Sequence, residues 1–343
     1  MFRGLLAVCA AAVAVGPSVS LAGPLDPAIV DPAAKWVVHA DLEAVRASVV
    51  GGYFERIARA EASPFIDQIQ SQFGLDPSTD ILGVTVFGSD PGTHDGVAAV
   101  EMTAAADSLL RSIPAAGFTD FALLKFENGI EGWRWTMDGR GWYVARMISK
   151  PSRRVVLLAP SEARLISAVR VANARIGSTA AASTSPPGEG SMLFAAAMGL
   201  GQCPAFKPDA TVLKQAQSFT FDLRETRSSH ADPRGSDTPA MMRAECTVET
   251  RSPEDALKME QMLRGVLAFS SLAASDSPEL SKLVNGWSSS LTMLSEGDTF
   301  SLSMSYESGA LIRMLEALQA RSEAGRSVPR PPTRSDSDTP SPG

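Results

Sequence analysis

Apolar positions along this chain recur with two periods. Trp36 to Asp41 is a strand-like run. Leu42, Val45, Val49, Tyr53 and Ile57 then follow at steps of three and four, the spacing of one helical face. A second helix is expected over 64–73. Ser63 can cap it, Pro64 suits its first position, Phe65, Ile69 and Phe73 form its inner stripe, and Gly74 can close it. Strands come next at 82–88, 96–103, 121–127, 130–136, 141–149 and 153–159. Turn signals at Ser89-Asp90-Pro91-Gly92, Asn128-Gly129 and Asp138-Gly139-Arg140-Gly141 separate them. A helix over 104–113 interrupts the series, and another, capped by Ser161, closes it.

The same grammar then returns. Strands are expected at 192–198, 219–224 and 241–250, with a short helix over 211–217. Ser252 caps a long helix with Pro253 at its first position. Met259, Met262, Leu263, Val266, Leu267 and Phe269 make its apolar face. A hairpin of 291–294 and 299–306 turns at Glu296-Gly297-Asp298, and Ser308 opens the last helix. Thr103 is separated from Thr250 by the same number of positions as Ser161 from Ser308. A constant offset at two junctions predicts an internal duplication. The expected class is α+β: two tandem split-βαβ, ferredoxin-like units, with antiparallel sheets backed by helices. Periodicity leaves open whether the units form two sheets or one continuous one.

Composition sets the bounds of these units. Residues 1–22 have one early arginine, Arg3, a twelve-residue apolar or small run, a Gly16-Pro17 break and a small-residue site ending at Ala22. That order predicts a cleaved signal peptide. Twelve residues rise only about 18 Å as a helix, too short to span a bilayer. No later stretch is apolar for long enough either, so no transmembrane segment is expected after cleavage. Residues 23–33 are an extended, proline-rich leader. The first unit spans 34–176, a flexible linker 177–190, the second unit 191–321, and a disordered tail 322–343. Export predicts a periplasmic or extracellular location.

Charge narrows the function classes. The 343 residues carry a formal net charge of −7. That excludes a nucleic-acid binder, which needs a basic footprint. Once Cys9 leaves with the signal peptide, Cys203 and Cys246 remain as a disulfide candidate, with two buried thiols as the alternative.

Two stretches carry a resemblance: Ala34 to Ser48, with Trp36-Val37-Val38-His39-Ala40-Asp41 at its centre, and Phe73-Gly74-Leu75-Asp76-Pro77 through Gly88. With the closing stretch from Leu280 to Ser303, they resemble an uncharacterised family of secreted proteins common in planctomycetes and related bacteria. The likeness covers roughly residues 34–306. It implies a compartment and a duplicated architecture, and it transfers no activity and no site.

Candidate chemistry is sparse. There is no Gly-x-Ser-x-Gly elbow, dinucleotide fingerprint or phosphate loop, so no catalytic set and no cofactor are expected. His39 and Asp41 share a strand face, but a metal site would need a third ligand, and Asp41 more simply caps the next helix through Ala44. Asp76 and Asp80 resemble half of a calcium loop whose other half is missing, so a turn explains them better. His94, between Asp90 and Asp95, and His230 lie in hairpin loops, and no metal is expected. Trp133, Trp135, Trp142 and Tyr143 flank a turn. They fit core packing, or, if exposed, a binding platform for a glycan or protein. The leading expectation is an exported, non-enzymatic binding or structural protein of the bacterial envelope, with an envelope protein or a glycan as partner. The alternative is a glycan-binding or hydrolytic protein with its site between the units. Its mark would be two or more of His39, Asp41, Glu101, Glu127 and Glu131 converging with a raised carboxyl pKa.

Overall fold

A computed structural model describes residues 25–90, 95–112, 119–126, 130–137, 139–175, 187–188, 190–200, 215–226, 239–273, 286 and 288–326. The expected signal peptide, most of the linker, most of the 211–217 helix and the tail beyond 326 lie outside the described residues.

The strands are β1 (Trp36–Asp41), β2 (Ile81–Gly88), β3 (Val97–Thr103), β4 (Thr119–Lys125), β5 (Glu131–Met137), β6 (Arg140–Lys150) and β7 (Arg153–Ala159). The second half adds β8 (Ser191–Met198), β9 (Ala216–Thr226), β10 (Met241–Thr250), β11 (Leu291–Glu296) and β12 (Thr299–Glu307). They form one 12-stranded sheet in the order β11-β12-β10-β9-β8-β1-β2-β3-β7-β6-β5-β4. The class is α+β, but two tandem ferredoxin-like units are not what forms. A split βαβ unit needs a crossover between parallel strands. Here the helical stretch after β1 returns the chain to an antiparallel neighbour, β2, and every pair among the described strands is antiparallel. The halves also share a sheet. β1 pairs antiparallel with β8, Val37 opposite Ala196 and His39 opposite Phe194. That pairing removes two exposed edges, which a protein must otherwise protect.

The helices are α1 (Leu42–Ala47), α2 (Val49–Phe73), α3 (Pro77–Asp80), α4 (Ala106–Ser112), α5 (Glu162–Arg175), α6 (Pro253–Ala273) and α7 (Ser308–Arg326). The helix break expected at Ser63-Pro64 lies instead at Ser48. The Ser48 hydroxyl accepts from the Gly51 amide at 2.8 Å and caps α2, while Pro64 sits inside that helix. Pro64 is tolerated because its stretch of α2 is largely solvent-facing, so the carbonyl it leaves unpaired can be hydrated. The caps expected at Asp41, Ser161 and Ser252 form: each side-chain oxygen accepts an amide of the following turn.

Strand register divides the sheet into two faces. One face carries the leader segment, through Leu25, Ile29 and Val30, and α5, through Leu165, Ala168 and Ala172. Both pack on Val37, Phe87, Ala99, Leu157 and Phe194. The other face carries the remaining long helices. Ile69 and Phe73 of α2 and Leu110 of α4 cover the first half beside Trp133 and Trp135. Met259 of α6 packs on Val248 and Phe300 in the second half. Val50 of α2, Met192, Met242 and Leu311 of α7 join the halves.

Candidate functional site

A largely buried ionisable cluster lies on the leader face, beside the β1–β8 pairing. Asp41, Gly83 and Glu101 stand opposite one another on β1, β2 and β3. The adjacent row is His39, Thr85 and Ala99. His39 Nδ1 lies 2.9 Å from Thr85 Oγ1. A Cβ on Gly83 would sit 3.6 Å from His39 Cε1, so the ring leans over the gap that the missing side chain leaves. Its Nε2 is buried and has no partner among the described residues. Asp41 Oδ1 accepts from the Ala44 amide at 2.9 Å and so caps α1. Arg153 approaches Glu101 at 3.8 Å with one amino group and Glu43 at 3.3 Å with the other.

Burial sets the protonation of this cluster. It pushes the Glu101 carboxyl up to about 7, opposed by Arg153 and assisted by the negative charges of Asp26 and Asp41. It pushes Asp41 up to about 6, opposed by the Ala44 amide. It lowers His39 to about 4, so the ring is neutral at physiological pH. The cluster can therefore hold a proton near neutrality. His39 and Asp41 are 1% and 5% exposed beneath the leader face's packing, and the Glu101 side chain is 13% exposed. A small depression among the described residues lies elsewhere, lined by Asp31, Phe87, Ser89, Arg164 and Ala168.

Of the five groups expected to converge, the structure brings together His39, Asp41 and Glu101. Glu131 points to the opposite face, where it pairs with Arg146 at 3.0 Å, and Glu127 lies outside the described residues. Asp76 caps α3 through the Ser78 amide, and Asp80 accepts from the Asp76 amide and from Thr103 Oγ1, so both carboxylates serve the turn. Asp95 pairs with Arg164 at 2.7 Å, while His94 and His230 are outside the described residues. No group of three His, Cys, Asp or Glu side chains among the described residues could hold a metal ion. Cys246 carries a free, half-buried thiol under α6, and Cys203 lies outside the described residues.

The aromatic hairpin forms with Trp135 opposite Trp142 and Trp133 opposite Val144. Trp133 and Trp135 are only 7% and 9% exposed, packed under α4 in the core. An exposed ring platform is therefore absent at these two residues. Trp142 packs against the same cluster, and Tyr143 packs on the opposite face with Ile130 and the leader-side core. Gly83 and Thr85 belong to the buried row but escaped the sequence reading. A glycine inside a strand was the one signal available for them.

The second half shows a contrasting surface. On the leader side of the sheet its strands present Ser218, Thr220 and Asp222 on β9, Glu245, Thr247 and Glu249 on β10, and Thr299, Ser301 and Ser303 on β12. Among the described residues no helix covers this face. Arg224 bridges Asp222 at 3.3 Å and Glu245 at 2.6 Å, and Ser218 donates to Glu249 at 2.7 Å.

No family model matches this chain, and no curated protein does. A solved structure described as crystal form IV of TP0453 aligns with 86% of this chain and 96% of its own, at 11% identity and a TM-score of 0.39. No described helix is long and apolar enough to cross a membrane.

Proposed function

We propose that this chain is an exported, non-enzymatic binding protein of the bacterial envelope, and that it meets a protein partner through the uncovered sheet face of its second half. The signal-peptide pattern of residues 1–22 supports export, and the resemblance of residues 34–306 supports kinship with planctomycete-type secreted chains. The repeated order of strands supports internal duplication: outward from the central pairing, β1-β2-β3-β7-β6 on one side and β8-β9-β10-β12-β11 on the other.

The observation that carries the binding reading is an inversion of access. Of the titratable groups that could do acid–base work, His39 and Asp41 are enclosed and the Glu101 side chain is only 13% exposed. The polar face of β9, β10 and β12 carries rows of hydroxyls and paired charges with no covering helix among the described residues. The hydrolytic alternative placed a site between two units, and the continuous strand pairing of β1 with β8 among the described residues weighs against a cleft there.

A photo-crosslinking residue at Thr247, the middle of that face, tests this in intact cells. One partner should crosslink from Thr247 and not from Ile166 on α5. Equal labelling from both positions, or labelling from neither, would sink the reading.

A further inference from the structure

Residues 25–34 form a strap over the leader face, and it is held differently from the strands beneath it. Two steps repeat five positions apart, Asp26-Pro27-Ala28 and Asp31-Pro32-Ala33. In each, the aspartate carboxylate accepts from the amide two residues on, Ala28 at 2.8 Å and Ala33 at 2.9 Å. Its carbonyl accepts from the amide three residues on, Ile29 and Ala34. Each turn so pairs backbone groups within itself. Strand pairing starts only at β1, just after the Lys35 amide donates to the Gly88 carbonyl at 2.8 Å. Side-chain packing, led by Leu25 and Ile29, fixes the strap to the sheet. Segments held this way open at lower cost than ladder-bonded strands.

Under the first turn, acids outnumber cations. Asp41 and Glu101 share a row across Gly83, and Asp26 of the strap adds its charge to theirs. Around Glu101 the charged groups are, by element, Asp26 on the strap, Asp41 on β1 with His39 in the adjacent row, Lys150 at the end of β6, and Arg153 on β7 at 3.8 Å. α1 contributes Glu43, which takes the other amino group of Arg153, and Arg46, which acts on Asp41. α5, the other cover of this face, turns Arg164 to Asp95, just before the opposite end of β3. Arg153, Lys150 and Arg46 thus face four carboxylates: Asp26, Asp41, Glu43 and Glu101.

We propose that the strap is a pH-sensitive latch, closed over Glu101 while that carboxyl is protonated and lifted in a minor open form once it ionises. An ionised carboxylate needs water or a full set of partners. Arg153 is shared with Glu43, and β3 is ladder-bonded to β2 and β7 on either side. The strap is the cover that can give. Lifting it bares Val37, whose row runs on through Ala196 to Thr220 and Thr247 of the uncovered polar face. Burial sets the sign, because it holds Glu101 at about 7 in the closed form against an ordinary 4.5. The closed form keeps its full advantage below 4.5, loses it as pH rises to about 7, and loses no more above. This goes beyond the partner reading, since the latch works in the chain alone.

Hydrogen exchange of the mature chain, with no partner present, tests it. Opening is read from the amides of Ile29, Ala34 and Lys35, each corrected for its intrinsic rate at every pH. The ratio of opening in the wild type to that in Glu101→Gln should rise by up to about tenfold per pH unit between 5 and 7, then stay level to pH 8.5. Taking the ratio cancels the shifts of His39 and Asp41, which both proteins share. Asp26→Asn keeps the acceptor for Ala28 and drops the charge. It should reduce opening at pH 8 several-fold and leave it unchanged at pH 5. Asp31→Asn, the same change in the second turn, should do neither. That matched pair carries the test if Glu101→Gln fails to fold. A flat ratio would overturn the proposal. So would strap amides that exchange no faster than that of Ala196 in the central ladder, or equal effects of Asp26→Asn and Asp31→Asn.

Discussion

Glu101 and Asp41 make stability depend on pH through burial, and the sign follows from which form burial disfavours. Folding raises Glu101 from 4.5 to about 7 and Asp41 from 3.8 to about 6. Stability from these protonated forms is fully present below the unfolded values and is lost as pH rises through the folded ones. His39 works the other way. Its folded value of about 4 lies below the ordinary 6.5, so its contribution is present above 6.5 and lost as pH falls toward 4. The opposing trends overlap between pH 4 and 6.5, and above that Glu101 acts with little opposition. Glu101→Gln should therefore gain on the wild type as pH rises, by an amount on the order of 3 kcal/mol that levels off above pH 7. Urea unfolding of both proteins from pH 5 to 8.5 measures it. Parallel curves would show that Glu101 ionises freely in the folded chain. Part of this row was legible beforehand: two-residue spacing put His39 and Asp41 on one face, and the Asp41 cap was expected. Glu101, Gly83 and Thr85 joined it only through cross-strand register, which no local pattern contains.

At the scale of elements, the α1–α2 corner turns on two adjacent glycines with opposite roles. A Cβ on Gly51 would fall 1.8 Å from the Val45 carbonyl oxygen, whereas one on Gly52 would meet nothing within 4 Å. Gly51 lets the chain fold back under the Ser48 cap. Gly52 only adds freedom to the unfolded state. Gly51→Ala should cost about 3 kcal/mol or more, because backbone rather than a movable side chain must give way. Gly52→Ala should stabilise by roughly 0.5–1 kcal/mol. Chemical denaturation of the pair checks both signs, and a like sign for the two would refute this account of the corner. The corner also explains why the helix boundary was misplaced. Ser63-Pro64-x-x-Asp67 has the local chemistry of a helix start, but nothing in the packing needs a break there. Ser48 and Gly51 carry a weaker local signal and a strict steric need, visible only once Val45 is in place. Elements with unambiguous caps and no competing break, such as α6 after Ser252, lie where periodicity put them.

For the whole molecule, the two units expected from the sequence form one sheet rather than two separate ones, and the reason is shared burial. Phe194 and Ala196 of β8 pack into the same cluster as Val37 and Phe87 of the first half. Val50 at the start of α2 packs with Met242 and with Leu311 of α7. The amide of Val49 donates to Glu225 of β9 at 2.8 Å, which caps a first-half helix with a second-half side chain. Each half has a cluster of its own, but the clusters at the seam draw on both, so unfolding of either half strips the other of shared core and the chain should melt as one unit. With Trp287 changed to Phe, tryptophan fluorescence comes from Trp36, Trp133, Trp135 and Trp142 and reports the first half. Labelling of the Cys246 thiol, read peptide by peptide, reports the second. Both should share one urea midpoint. Ala195→Pro should lower the two midpoints together, because a proline in the middle of a central strand removes a ladder hydrogen bond between β8 and its neighbours. Separate midpoints, or a proline effect confined to Cys246, would mean that the halves fold independently and that the β1–β8 pairing only docks them.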